Sequence, residues 1–459
     1  MADSKSTSPA DLADCFFHNL HTQVRPGDHL VVALSGGVDS VVLLHLLTQF
    51  SKSMRLNIAA VHVEHGISAH SGQWSDFCQT LCDSLSVPLS IHRLTIRKRP
   101  QESLEAVARE ARYQIFKTIR ADYVVLAQHQ DDQVETLLLQ LLRGAGVKGL
   151  SAMPAIRSLK SDKAARLLRP LLNIPRSGIL NYARLHGLSW VTDESNLDTS
   201  YDRNFLRHRI LPFLEQRYPA YRKTLSRSVR HLGEAAHLLD DLAKIDAEAA
   251  LIAGKLSLPV LQKLEPARAR NLLRYLLAQY MVRLPGSAKL EEILRQLNSV
   301  QSDNHFRFIV DTLEIRCHRG EWVEFIPADS LPGPMTPVVW QGEPRLVIES
   351  MKGVLEFTQR HNQGIDLAKL NQQTVTIRSR SGGERFQPDC KRPRRSLKKI
   401  LQEAGLAPWE REALPLLFCG DQPVWVAGIG IDCNFQVSAG SAGLVVTWHT
   451  NLASQFSTC

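Results

Sequence analysis

Leu30-Val31-Val32-Ala33-Leu34, running into Ser35-Gly36-Gly37-Val38-Asp39-Ser40, decides the fold class of this chain. An apolar strand meets a glycine pair and then an almost wholly apolar helix, Val41 to Leu47. Two glycines let the backbone turn tightly. Amide N–H groups then face outward at a helix N-terminus, where the dipole favours an anion. Ser35 and Ser40 add hydroxyl donors. Asp39 is an acid beside that anion site, tolerable there with a metal ion or a proton to offset its charge. No lysine follows the glycines as the GxxxxGK[ST] loop requires. Grip on phosphates therefore falls to backbone amides, hydroxyls and Mg²⁺. A plain strand-to-helix turn is the competing reading.

Outward from this loop, strands and helices alternate from Leu30 to about Arg217. Strands are expected at Asn57–Val63, Pro88–Leu94 and Tyr123–Ala127. Helices are expected at Ser40–Phe50, around Gln73–Leu85, and at Leu104–Ile119 and Asp132–Leu142. Continuous Val/Ile/Leu strands separated by helices imply a parallel sheet covered on both faces, with ligands at the C-terminal strand ends.

Polar clusters fall at those ends. Val61-His62-Val63-Glu64-His65 closes the second strand; its histidines lack a third ligand and read as packing groups beside a nucleotide. Ala60–Val63 could hold adenine through backbone hydrogen bonds. Arg112, in Glu110-Ala111-Arg112-Tyr113, is either a solvated helix charge or a phosphate contact. In Gln128-His129-Gln130-Asp131-Asp132-Gln133-Val134-Glu135, Asp132 and Glu135 share a helix face and suit an incoming ammonium or a metal; capping explains Asp131 better. A basic segment (Arg157, Lys160, Lys163, Arg166, Arg169) follows, then Trp190–Asn196 and Asp202-Arg203-Asn204-Phe205-Leu206-Arg207. Arg203 and Arg207 could neutralise phosphate charge.

Composition narrows the class. A 459-residue chain with 44% hydrophobic and 22% charged residues fits two to four globular domains. The net charge of +9 suits a polyanion without proving one. Eight scattered cysteines without a CxxC pair fit a reducing cytosol better than a disulfide framework; Cys78 and Cys82 read as a buried apolar pair. Neither a signal pattern in Met1–Ala10 nor a spanning apolar stretch is seen, so a cytoplasmic protein without membrane contact is expected.

In order, SGGVDS, VHVEHGIS (Val61–Ser68), EARY, DDQVET, RGAGVKGL, RPLL, WVTDESN and DRNFLR resemble the tRNA(Ile)-lysidine synthetase family, within the N-type ATP pyrophosphatases. The resemblance covers roughly Leu30 to Pro212. It implies an α/β fold: a Rossmann-like parallel-sheet ATP pyrophosphatase domain, a helical domain and a small α+β C-terminal domain. It also implies a reaction. ATP adenylates O2 of the wobble cytidine in the CAU anticodon of an isoleucine tRNA. The ε-amine of free L-lysine then attacks C2, giving lysidine and AMP and moving codon reading from AUG to AUA. A ring oxygen is a poor leaving group until it carries AMP, and a neutral amine is then a competent nucleophile.

By this resemblance Ser35, Gly36, Gly37, Val38, Asp39 and Ser40, with Ala60 and His62, bind ATP, and Asp39 lies near Mg²⁺. Asp132 with Glu135 orients lysine or assists proton removal. Arg112, Arg203 and Arg207 complete the catalytic set. Glu64 stands where the family usually has Asn, and Gln128 where it often has the first of two histidines. An RNA thiolase of the same superfamily is disfavoured by the missing CxxC. An RNA-binding protein with a regulatory ATP site is disfavoured by the intact loops.

The remaining chain reads as RNA-gripping. A domain over 1–217 precedes a mostly helical one over 218–326. There Leu225 to Leu242, the helix opened by Pro266 and the helix capped by Ser287 each carry an apolar stripe. A Pro-rich linker, 327–337, includes Pro332 and Pro334. The domain over 338–459 is rich in strands and carries Lys391-Arg392-Pro393-Arg394-Arg395-Ser396-Leu397-Lys398-Lys399, read as contacts to tRNA phosphates.

Overall fold

The computed structural model describes residues 9–66, 70–94, 104–159, 165–280, 282–300, 305–318, 320–331, 333, 335–438 and 440–450. Ile67, Ser68, Lys160, Lys163, Pro332 and Pro334, singled out above, lie outside them. The chain forms two compact units, Met1–Leu239 and Asp240–Cys459.

In the first unit the elements run α1 (Pro9–His21), β1 (His29–Ala33), α2 (Val38–Met54), β2 (Asn57–Glu64), α3 (Ser71–Ser84), β3 (Leu89–Arg93), α4 (Leu104–Thr118), β4 (Tyr123–Val125) and α5 (Gln130–Leu142). Then come α6 (Val147–Leu150), β5 (Ile156–Ser158), β6 (Arg166–Leu168), α7 (Arg176–Leu185), α8 (Asp202–Phe205), a π-turn (Leu206–Ile210), α9 (Leu211–Arg217) and α10 (Tyr221–Ala250), which runs past the boundary. The sheet order is β3-β2-β1-β4-β6-β5. All neighbours are parallel except β5, which pairs antiparallel with β6 at the edge.

β1 shows why these residues form a buried strand. Leu30, Val32 and Leu34 face a core with Phe16, Val42, Leu46 and Ile179, while Val31 faces a second core with Phe116, Val124 and Leu167. Successive side chains point to opposite faces, so a strand covered twice must be apolar at every position. Cys78 and Cys82 are fully buried in the first core. Burial pushes their thiols up, to about 12 and about 11, which keeps them inert. The chain leaves β1 for β2 on one side and later places β4 on the other. Such a reversal opens a crevice at the C-terminal strand ends. The loop after β1 and the turn after β4 both lie there.

In the second unit, α11 (Leu258–Lys263), α12 (Pro266–Gln279) and α13 (Ser287–Ser299) share a core with a five-stranded antiparallel sheet. The apolar stripes of α12 and α13 are buried as their spacing implies. The stripe on α10 is incomplete, because Leu239 is exposed. Two further sheets, of five and four strands, share another core containing Leu355, Ile377, Leu417 and Leu444. No helix of the described residues is long and apolar enough to cross a membrane.

One expectation is overturned here. Cys390 and Cys433 are joined by a disulfide with Cα atoms 5.4 Å apart, not left as free thiols. They lie 43 residues apart, and only the folded loops bring them together.

Candidate active site

The loop after β1 is built from its own hydroxyls. The Ser35 N–H donates to Ser40 Oγ at 3.2 Å, Ser40 Oγ donates to the Gly37 carbonyl at 2.9 Å, and the Gly37 N–H donates to Ser35 Oγ at 3.4 Å. Gly36 has φ +83°, and a Cβ there would stand 2.7 Å from Val191 Cγ2, so only glycine fits. The Val191 N–H donates to the Gly36 carbonyl at 3.0 Å, pinning the Trp190–Asn196 stretch to the loop. Gly37 caps α2 in an extended conformation, and Val38 and Asp39 form its first turn.

Ala60 and His62, expected beside the nucleotide, both make hydrogen bonds within the protein. β2 lies between β1 and β3, so the Ala60 backbone belongs to the sheet: its N–H donates to the Pro88 carbonyl at 2.8 Å. The Leu34 N–H likewise uses the Val61 carbonyl. These groups of Ala60 and Val61 are used within the sheet, and the pairing of β2 with β1 ends at Val61, before Val63. His62 is buried, and its Nδ1–H donates to the Leu34 carbonyl at 2.8 Å. It props the strand entering the loop.

The turn after β4 carries the densest charge. His129, only 2% exposed, precedes α5 in an extended conformation, and its N–H donates to Asp132 Oδ2 at 3.0 Å. This cap by the Asp132 carboxylate starts α5 at Gln130 rather than Asp132. The His129 ring sits amid three carboxylates: Nε2 is 3.7 Å from Asp39 Oδ2 and 3.5 Å from Asp132 Oδ2, and Nδ1 is 3.9 Å from Asp131 Oδ2. Burial opposes its charge, but Asp132, then Asp39 and Asp131, outweigh burial and hold its pKa above the ordinary value. Burial also opposes charge on Asp132, yet His129, Arg203 and Arg207 leave that carboxyl below its usual range.

Glu135, 0% exposed, is clasped by two guanidinium groups. Arg203 Nε donates to Oε2 at 2.7 Å; Arg207 donates through Nε to Oε1 at 2.6 Å and through NH2 to Oε2 at 2.9 Å. Both arginines also reach Asp132 Oδ1, at 3.0 and 3.3 Å. The four candidate residues are thus together, but with their charges spent on one another rather than on separate ligands. Asp131 is no simple cap either: it accepts from the Arg176 N–H at 3.0 Å and from Arg222 Nε at 2.6 Å. Arg112 donates through Nε to His65 Nε2 at 3.2 Å. Burial, then Arg112 and His62, bring His65 down to about 4. Glu64 accepts from Ser75 and Arg93, and Gln128 from the buried Arg169.

Asp39 Oδ1 is buried without a hydrogen-bond partner, with Arg176 Nε 4.0 Å away. That orphaned oxygen fits a cation shared with phosphates. Among the described residues no group of three or more His, Cys, Asp or Glu could hold a metal by itself.

The charge cluster sets a pH dependence. A histidine whose folded pKa is raised adds stability that is fully present below the unfolded value, near 6.5, and is lost as pH rises through the folded value. The unliganded protein is therefore expected to unfold at lower urea as pH climbs from about 6.5, and His129→Gln should remove that limb. A flat midpoint from about pH 6 to 9 in the parent would refute it. His65, held at about 4, titrates on the acid side and leaves this limb untouched.

A glycine-paired strand-to-helix loop and an acid-lined helix start at the sheet's reversal define a PP-loop ATP-binding protein. A family model described as the PP-loop domain matches residues 12–214; TilS substrate binding and substrate C-terminal domain models match 256–322 and 375–448. The chain is 78% identical over 458 residues to the tRNA(Ile)-lysidine synthase of Nitrosomonas europaea, covering 100% of both, and 39% identical to that of an Azoarcus species, covering 94% of both. The chain belongs to the tRNA(Ile)-lysidine synthase family. Among solved structures, a U34-tRNA thiolase from Methanococcus maripaludis superposes with a TM-score of 0.41 at 20% identity, covering 49% of this chain and 79% of that one.

Proposed function

We propose that the chain ligates L-lysine to C2 of the wobble cytidine of a CAU-anticodon isoleucine tRNA, through an adenylated cytidine, releasing pyrophosphate and then AMP. Two adjoining subsites carry this reading: Asp39 of the phosphate loop and Asp132 of the carboxylate–guanidinium group meet on one buried histidine. The amides and hydroxyls of Ser35–Ser40 hold the phosphates, and Asp39 takes Mg²⁺. Mg²⁺, when bound, offsets phosphate charge during attack on the α-phosphorus. Asp132, held between the two arginines, orients the lysine ε-amino group and assists removal of its proton, so that the neutral amine attacks C2. Arg203 and Arg207, held by Glu135, offset charge on the phosphate or cytidine side. Arg112 acts at the rim through His65.

In this reading residues 1–217 are catalytic, 218–326 and 338–459 grip the tRNA, 327–337 link them, and the protein works in the cytoplasm. The test mixes the purified chain, ATP–Mg²⁺ and labelled lysine with the CAU tRNA or the same tRNA carrying wobble uridine. Label should enter the cytidine form alone, with one AMP per event. AMP release without incorporation would point to another nucleophile.

The basic tail segment is less free than its composition implies. Arg392 pairs with Asp389 at 3.5 Å, Arg394 with buried Asp432 at 2.6 Å, and Arg395 with Glu403 at 2.8 Å. Lys391, Lys398 and Lys399 are exposed. Replacing these three lysines with alanine is expected to lower the slope of log affinity for tRNA against log salt by about 2–3, near 0.7–0.9 per lost phosphate contact. An unchanged slope would place the RNA elsewhere.

A further inference from the structure

The helix that presents Arg203 and Arg207 has a second face with no role in the ion pairs. On one side Leu206 and Leu211 are buried and the two arginines reach Glu135. On the other, Phe205 is 46% exposed and Phe213 is 72% exposed. They stand eight residues apart. Two ordinary turns take up 7.2 residues; the π-turn at Leu206–Ile210 widens one of them and takes up the remainder. The two rings are therefore brought close to one line, with exposed Arg209 between them. Further along, Arg217 lies over the Tyr218 ring, 5.5 Å from its centroid.

Burying a phenylalanine is favourable, so two large rings left in water beside a catalytic group call for an occupant. Rings alternating with guanidinium groups match single-stranded RNA: unpaired bases stack on the rings and phosphates meet the cations. We propose that Phe205, Arg209 and Phe213 form a stacking platform for the unpaired anticodon-loop bases that flank the wobble cytidine. The proposal rests on the tRNA reading above. It deepens that reading by naming what holds the loop open while Asp132 and the phosphate loop act on the extruded base. Charge selects the occupant: exposed Arg209 and Arg217 lie on this helix, while its acids Asp202 and Glu215 are already paired with Arg143 and Arg222. Phe205 and Phe213 are positioning residues and touch no reacting atom.

The test uses the full chain and the CAU tRNA with 2-aminopurine replacing the adenine in the middle of the anticodon. Binding to the parent protein should quench its fluorescence by stacking. Phe213→Ala and Phe205→Ala should each lose most of the quench and raise KM for tRNA about ten-fold or more, with KM for ATP unchanged. Phe213→Trp should restore both, and Phe213→Leu should not. Unchanged quench and KM in the alanine variants would overturn the proposal. So would full rescue by leucine, which would make the face merely apolar. Loss of self-association in these variants, with tRNA binding intact, would assign the stripe to a second copy of the chain and equally overturn it. Lysine incorporation by the parent is measured alongside. Its failure would remove the lysidine reading, while the quench would still report whether the platform stacks RNA.

Discussion

A Glu135→Gln protein is expected to lose about 3 kcal/mol of folding stability and at least about 100-fold in lysidine formation. The carboxylate is fully buried and receives three hydrogen bonds from Arg203 and Arg207. Glutamine keeps the shape but removes the charge. Its amide nitrogen is a donor, so it would face one guanidinium donor with another. Removing one member of a buried ion pair typically costs about 3–5 kcal/mol, because the remaining charge has lost its partner. The lower end applies here, since the arginine side chains are 24% and 23% exposed and Asp132 still shares them. The same substitution releases both arginines from the geometry that leaves Asp132 Oδ1 between them, which is why activity should fall along with stability. Urea midpoints and single-turnover rates separate the two effects. Unchanged stability with lost activity would mean that Glu135 acts on a ligand directly and that the clasp contributes little to the fold.

Local pattern carried some elements and long-range contact others. The loop Ser35–Ser40 was legible because glycine, hydroxyl and helix start lie within six residues. The starts of α12 and α13 were legible to within a residue, because Pro266 and Ser287 mark where apolar stripes begin, although Gly286 and not Ser287 takes the cap. β5 and β6, three residues each, are too short for alternation to show, so the antiparallel edge went unseen. The sheet contacts of Ala60 were not legible, because nothing within β2 says that it lies between two other strands. Spacing placed Asp132 and Glu135 on one helix face correctly, yet their partners Arg203 and Arg207 come from about 70 residues onward, and Arg222, partner of Asp131, from 91. His129 was visible only as one letter in a polar run. Its part as the buried meeting point of three acids depends on the sheet reversal that brings the ends of β1 and β4 together. The Cys390–Cys433 link likewise depends on two loops meeting.

The largest functional effect should come from Asp39→Ala: AMP and pyrophosphate formation down by about 1,000-fold or more, with tRNA affinity within about two-fold of the parent. Asp39 lies in the first turn of α2, two residues after Gly37, and its Oδ1 is a buried oxygen that lacks a hydrogen-bond partner. Such an atom raises the energy of the unliganded protein and lowers that of a complex in which a cation meets it. Loss of the carboxylate removes that difference where charge must be offset during cleavage between the α- and β-phosphates. It also relieves His129 of one of its three acids, so the raised pKa of that ring should fall toward its ordinary value and the alkaline stability limb should move to lower pH. Asp39→Asn keeps the size and should behave like alanine in catalysis, because charge and not bulk is lost. The measurement is tRNA-dependent release of labelled AMP and pyrophosphate, beside a filter-binding isotherm for the tRNA. Retained cleavage would move the metal to Asp132. Loss of tRNA binding with cleavage intact would mean that Asp39 faces the RNA, and the phosphate-loop assignment would have to be withdrawn.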